Sequence, residues 1–176
     1  RQFIAGQLHH IRALSAVLSP TVNSYKRLVP GFEAPVYICW GQKNRSALIR
    51  IPRFSPGREQ GTRAELRCPD PSNNPYLALA VMLEAGLDGI KNNMVTPNPV
   101  EENVYEFNKD ELAYRNIATL PGSLGEAIGE MEKSKLVERA LGSHTYQIYL
   151  HSKIAEWDEY RIQVTEWEHK KYFETT

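Results

Sequence analysis

Apolar residues recur along the chain in two rhythms. In residues 3–18, Ile4, Leu8, Ile11, Leu14 and Leu18 return every three or four positions, which predicts an amphipathic helix ended by Pro20. Residues 34–40 and 45–51 alternate instead. Val36, Ile38 and Trp40 oppose Tyr37 and Cys39, and Ala47, Ile49 and Ile51 oppose Leu48 and Arg50. Two strands joined by the turn Gly41-Gln42-Lys43-Asn44 are expected, paired as a hairpin. A third strand is expected over Thr62–Cys68, after a loop from Pro52 to Gly61. Asn74 followed by Pro75 has the form of an N-cap and a first-turn proline, and Tyr76–Leu87 is apolar nearly all round, so a buried helix should follow.

The second part of the chain has a different texture. Residues 91–108 read as loop, and no proline follows Pro121. Helices are expected from Gly122 to Met131, from Ser134 to Leu141, and then one long helix from Gly142-Ser143 onward. On the last, Tyr146, Leu150, Ile154, Trp157, Tyr160, Val164 and Trp167 form a stripe that packs on the core or on a partner. The pattern as a whole predicts an α+β fold, with an antiparallel sheet covered by helices and a helical C-terminal region.

Charge sharpens the division. The 176 residues are neutral overall, yet residues 1–100 carry 12 Lys and Arg against 6 Asp and Glu, while residues 101–176 carry 9 against 15. The basic half should bind anions. With pI near 7.1, no lysine-rich stripe and no nucleic-acid motif, nucleic acid is not the expected partner. No apolar run approaches the length of a membrane span. Cys39 and Cys68 lie far apart in apolar settings, as reduced core cysteines of a cytoplasmic protein would. His9 and His10 are adjacent on a helix and so point in different directions, a poor metal pair. The chain opens on Arg1 within helical pattern, which suggests the C-terminal part of a longer protein.

The basic excess is concentrated. Between Asn23 and Arg67 stand Arg27, Arg45, Arg50, Arg53, Arg58, Arg63 and Arg67, accompanied only by Glu33, Glu59 and Glu65. Guanidinium forks match carboxylate and phosphate oxygens and stay charged at any working pH. On the third strand Arg63, Glu65 and Arg67 should share one face, since alternate strand residues do. That row fits a structural ion-pair ladder, and fits equally a divalent-metal ligand between two phosphate-binding groups. Glu33, just past the turn Pro30-Gly31, is either a solvated loop carboxylate or a functional one.

The same stretch resembles the C-terminal part of the catalytic domain of type I glutamine synthetase. The strings that carry the resemblance are N-S-Y-K-R-L-V-P-G-F-E-A-P from Asn23 to Pro35, Asn44-Arg45-Ser46 with Ile49-Arg50-Ile51-Pro52, Arg63-Ala64-Glu65-Leu66-Arg67, and Pro69-Asp70 running into Asn74-Pro75-Tyr76-Leu77-Ala78. Ala85-Gly86-Leu87-Asp88-Gly89-Ile90 matches too. The match is strong over residues 1–108, the expected site-bearing region. It continues more loosely over 109–176, the expected helical region, through Leu120-Pro121-Gly122-Ser123-Leu124 and Trp157-Asp158-Glu159-Tyr160.

The resemblance implies ATP-dependent joining of glutamate and ammonium through γ-glutamyl phosphate, with Mg²⁺ or Mn²⁺. It implies a cytoplasmic homo-oligomer, a two-ring dodecamer in the full-length parent. It places Arg27 and Arg67 on the glutamate substrate, Arg45 on the transferring phosphoryl group, and Arg50 and Arg63 on the nucleotide phosphates. It makes Glu65 a metal ligand and Glu33 the flap carboxylate that takes a proton from ammonium. Tyr105 matches a position adenylylated in one branch of the family, but Glu106-Phe107-Asn108 looks like the other branch, so modification is not expected. The family's upstream metal ligands and nucleotide-binding segment are not in this sequence, so the isolated chain is expected to be inactive and to bind the metal weakly. Two alternatives stay open: a related ligase joining glutamate to another amine, and a non-catalytic structural relative.

Overall fold

The computed structural model describes residues 1–31, 34–52, 57 and 59–173. Helix α1 (Gln2–Leu18) and helix α3 (Pro75–Lys91) form the central pair, and α1 also packs on α5 (Leu124–Glu132). The apolar stripe read from the sequence is the reason: Ile11, Leu14, Val17 and Leu18 are sealed from solvent, and each such side chain contributes about 1.5–3 kcal/mol. The two helices approach until backbones touch. A Cβ on Gly6 would overlap the Ala85 carbonyl oxygen, and one on Gly89 would overlap the carbonyl of Gln2. Only glycine permits so close a crossing.

Strands β1 (Tyr37–Gly41), β2 (Ala47–Arg50) and β3 (Glu65–Leu66) form one sheet in that order. The class is α+β as expected, but one pairing corrects the sequence reading. β2 and β3 are antiparallel, whereas β1 and β2 run parallel, with Tyr37 opposite Ala47 and Gly41 opposite Arg50. The connection is therefore no hairpin turn. It is drawn out onto the segment at 100–102: Glu101 accepts from the N–H groups of Gln42 (2.8 Å) and Lys43 (3.2 Å), and the Asn44 amide donates to the carbonyls of Val100 (2.9 Å) and Glu102 (2.7 Å). The six steps from Gly41 to Ala47 span about 20 Å when extended, enough to carry the chain back along β1. β1 itself is flanked by Ala118 and Val100, whose backbones bond to Ile38 and Trp40.

Helix α2 (Ser24–Arg27) falls inside the expected loop. Asn74 caps α3 through the N–H groups of Tyr76 and Leu77, as anticipated. The interior of α3 departs from expectation. It is not buried all round: Tyr76 is 82% exposed, Leu79 62% and Leu83 55%. Helix α4 (Lys109–Tyr114) starts with a capping box between Asn108 and Glu111. Helix α6 (Lys135–Leu141) begins at the Ser134 cap. The long C-terminal helix divides into α7 (Ser143–Arg161) and α8 (Glu166–Tyr172), because Thr165 and Glu168 form a second capping box that restarts the helix. The aromatic stripe divides with it: Tyr146 and Leu150 are buried, Trp157 lies against Gly125, and Trp167 is exposed. Among the described residues no helix is long and apolar enough to cross a membrane.

Candidate active site

The connection between β1 and β2 holds Arg45 outward by burying the residues on either side of it. Asn44 and Ser46 are both buried. The Ser46 hydroxyl donates to the Asn44 side-chain oxygen and accepts from the N–H of Val104 at 2.9 Å. The side-chain polar atoms of Asn44 and Ser46 all have partners, so the turn is held by geometry and its middle residue is displayed. These two positioning residues were not singled out from the sequence. Their signal there is a pair of small polar residues interrupting two apolar runs.

Arg45 and Arg50 line one open cleft of about 390 Å³ with Gln42, Lys43 and Pro52. Lys43, Arg45 and Arg50 all border this space, an arrangement suited to anionic groups. Arg50 turns from there toward β3. Its Nη2 donates to Glu65 Oε2 at 2.6 Å and its Nε at 3.2 Å, across the antiparallel register that sets the two residues opposite each other. Arg67 approaches the other oxygen, Oε1, at 3.7 Å. It also donates to the carbonyls of Arg45 and Ala47, tying the end of β3 to the Arg45 turn.

The ladder expected over Arg63, Glu65 and Arg67 is thus composed differently. Glu65 sits between Arg50 and Arg67, and Arg63 lies ahead of β3, exposed, with the Gly61 carbonyl at 3.4 Å. The physical reason is strand length: regular pairing covers only Glu65–Leu66, so the alternation that would align Arg63 with the others does not extend that far. Arg27 stands in a neighbouring cleft of about 250 Å³ with Asp70 and Ser72. It donates to the carbonyl of Cys68 at 2.6 Å, and its buried Nε has no partner. An unpaired charged N–H is costly unless an acceptor arrives. Glu33, Arg53 and Arg58 lie outside the described residues.

Glu65 has the oxygen chemistry a hard divalent cation prefers. Among the described residues no group of three or more metal-ligating side chains exists, so the described part of the chain offers one ligand and not a complete set. The cysteines take no part: both are free and buried, and desolvation pushes the thiol of Cys39 up to about 11 and that of Cys68 to about 12. They stay protonated and unreactive at neutral pH. Of the paired histidines, His10 meets Asp88 at 2.8 Å. Tyr105 lies half-buried with its ring against Tyr37, its hydroxyl pKa raised by burial.

The family model described as glutamine synthetase, catalytic domain, matches residues 1–172. The chain belongs to the glutamine synthetase family. A glutamine synthetase of Clostridium saccharobutylicum is 54% identical over 171 residues, which is 97% of this chain and 38% of that protein. One from Methanocaldococcus jannaschii is 52% identical over 170 residues, covering 97% of this chain and 37% of that one. A solved structure described as a GmaS/ADP complex superposes with a TM-score of 0.84 at 35% identity, over 98% of this chain and 39% of that one. The chain therefore spans under two fifths of the glutamine synthetases it matches.

Proposed function

We propose that the chain is the C-terminal portion, residues 1–176, of a glutamine synthetase catalytic domain, and that its parent joins glutamate and ammonium with ATP. The observation that carries this reading is the convergence of Arg45 and Arg50 on one cleft while Arg50 and Arg67 hold Glu65 between them. Phosphoryl transfer needs charge neutralisation and positioning more than covalent help from the protein. A solved structure of similar fold is described as a GmaS/ADP complex, which supports a nucleotide ligand for the parent.

In the reaction, a γ-carboxylate oxygen of glutamate attacks the terminal phosphorus of ATP and ADP leaves. Ammonia, after ammonium gives up a proton, attacks the acyl carbon of γ-glutamyl phosphate, and phosphate leaves. Arg45 neutralises charge on the transferring group, with Arg50 and Arg63 on the nucleotide phosphates. Arg27 and Arg67 hold glutamate, and the unpaired Nε of Arg27 supports a carboxylate acceptor there. Glu33 keeps its role as the proton-accepting flap residue. Glu65 would hold Mg²⁺ or Mn²⁺, which neutralises phosphate charge when bound. The remaining ligands come from elsewhere, so the isolated chain is inactive. The parent is a cytoplasmic homo-oligomer, a dodecamer.

The test is ADP release from ATP, Mg²⁺ and glutamate, with and without ammonium. It is run on the 176-residue chain and on a chimera in which this chain replaces the matching part of the C. saccharobutylicum enzyme. Ammonium-dependent release by the chimera alone is the expected result. Release by the isolated chain would overturn the incomplete-site reading. A folded chimera that turns over only with another amine, or not at all, would overturn the glutamine-forming one.

A further inference from the structure

A third cation borders the cleft of Arg45 and Arg50. Lys43 stands on the same connection between β1 and β2, two residues before Arg45, and its side chain is exposed. Among the described residues its ammonium forms no ion pair, whereas Arg50 is engaged by Glu65. Like charges gathered around one cleft repel until an anion enters, and each added cation favours an occupant of higher negative charge.

The backbone under Lys43 is held more firmly than an exposed turn requires. Water alone satisfies the N–H groups of most surface turns. Here a carboxylate more than fifty residues away accepts both: the N–H of Gln42 donates to Glu101 Oε1 at 2.8 Å, and the N–H of Lys43 to Oε2 at 3.2 Å. Bonds to an ionised acceptor are about twice as strong as neutral ones. Glu101 is itself anchored. The N–H of Val100 donates to the Trp40 carbonyl at 2.8 Å, the Trp40 indole donates to the Pro97 carbonyl at 2.7 Å, and a Cβ on Gly41 would overlap the Val100 carbonyl oxygen. The next carboxylate, Glu102, turns away to Arg115 at 2.9 Å. Arg45 has a separate device, the buried Asn44 and Ser46, so the Glu101 bonds act on residues 42 and 43.

We propose that Lys43 is a further binding group for the phosphate chain of the nucleotide, beside Arg45 and Arg50, and that Glu101 is the residue that positions it. The ammonium is a compact point charge on a flexible stem, so it can follow an oxygen that the rigid guanidinium forks do not reach. Fixing its main chain limits where that stem starts. The inference deepens the phosphate-binding reading of this cleft and rests on it, but not on which amine is joined to glutamate.

The experiment is made in the full-length chimera and reads the affinity for AMP-PNP with Mg²⁺ by calorimetry, beside the kinetics of ADP release. AMP-PNP keeps the triphosphate but does not transfer its terminal group, so binding is measured whether or not the protein turns over. Both positions are exposed, so the variants should keep the thermal midpoint of the unsubstituted chimera. Lys43→Met should weaken AMP-PNP about tenfold, the scale of one hydrogen bond from a charged donor. Lys43→Arg should keep most of the affinity. Glu101→Gln sets an NH₂ group against one of the two N–H donors and should weaken binding about threefold. In the Lys43→Met background the same change should weaken it no further, because a positioning residue has nothing left to position. The KM for glutamate should stay put in all of them, since Arg27 lies in a different cleft; a general loosening of the fold would move it too. Unchanged affinity in Lys43→Met, with a clear loss in Arg45→Met, would overturn this inference and leave the cleft a phosphate site. Unchanged affinity in both would sink the phosphate reading and this inference with it. A Glu101→Gln loss that persists in the Lys43→Met background would overturn the positioning role. The expected binding pattern in a chimera that forms no glutamine would sink the proposed activity and leave this inference standing.

Discussion

The crossing of α1 on α3 and the sheet edge that bears Glu65 are made from opposite materials. At the crossing, Gly6 and Gly89 let two backbones touch, and the apolar stripe of α1 is sealed on its inner face. At the sheet edge, regular pairing lasts two residues, Arg50 and Glu65 are each about one third exposed, and Arg27 Nε waits for an acceptor. The contact in the first region is packed from both sides, and the second holds charges whose full set of partners is not found among the described residues. Stability and chemistry are thereby separated: the crossing should tolerate no change, while the edge should tolerate changes that ruin function.

The sharpest way to break that division is at Gly6. A valine there would drive its Cβ into the carbonyl of Ala85 and its branches into Gly89, both backbone, which cannot rotate away. Overpacking of a close-packed contact costs about 3 kcal/mol or more when the backbone must move. Urea denaturation of Gly6→Val should show a chain largely unfolded without denaturant. A midpoint close to wild type would mean the crossing is looser than the glycine contact implies, and the contrast would fail.

Glu65→Gln sharpens the comparison from the other side. The carboxamide keeps the shape but loses the charge that pairs Arg50 and Arg67. Because these groups are partly exposed, solvent screens the pair, and the unfolding free energy of the chain should change by less than about 1 kcal/mol. In the chimera, ammonium-dependent ADP release should fall about 100-fold, the scale of losing one charge-stabilising group from a site. A large loss of stability with unchanged turnover would make Glu65 a structural ladder and nothing more.

Much of the first region was legible in the sequence, and less of the second. The three- and four-residue rhythm of Ile4, Leu8, Ile11 and Leu14 announces α1 because burial on a helix is periodic. Asn74-Pro75 announces the start of α3 because capping is local chemistry. The parallel pairing of β1 with β2 was not legible. It depends on Asn44 and Glu101 reaching each other's segments across more than fifty residues, and a turn-like string cannot show that. For the same reason Glu65 and Arg50 could each be named as candidates while their pairing could not: the pair is made by strand register, not by spacing. The exposed face of α3 was misread because an all-apolar helix signals burial without saying by what. The break between α7 and α8 was missed because the Thr165 and Glu168 capping box sits inside a stripe whose rhythm continues through it.

The smallest expected effect tests whether charge matters at all in the helical region. Arg12 of α1 reaches Glu126 of α5 at 2.6 Å, and Glu126 also accepts from the N–H of Gly122 at 2.8 Å. The hydrogen bond from the Gly122 N–H holds the Glu126 carboxyl below the ordinary glutamate value; burial, the next effect in size, opposes it, and the hydrogen bond and charge of Arg12 add to the lowering. A carboxyl lowered in the folded state contributes stability that is present above its unfolded pKa and is lost as pH falls through the lowered folded value. Glu126→Gln should therefore lower the urea midpoint at pH 7 by an amount worth roughly half a kcal/mol or less. The midpoints of variant and wild type should converge once the medium is acid enough to protonate the folded carboxyl. A gap that persists there would assign the effect to the Gly122 cap geometry, and a gap as large as that of Gly6→Val would mean that α1 is held by ion pairs as much as by its glycine crossing.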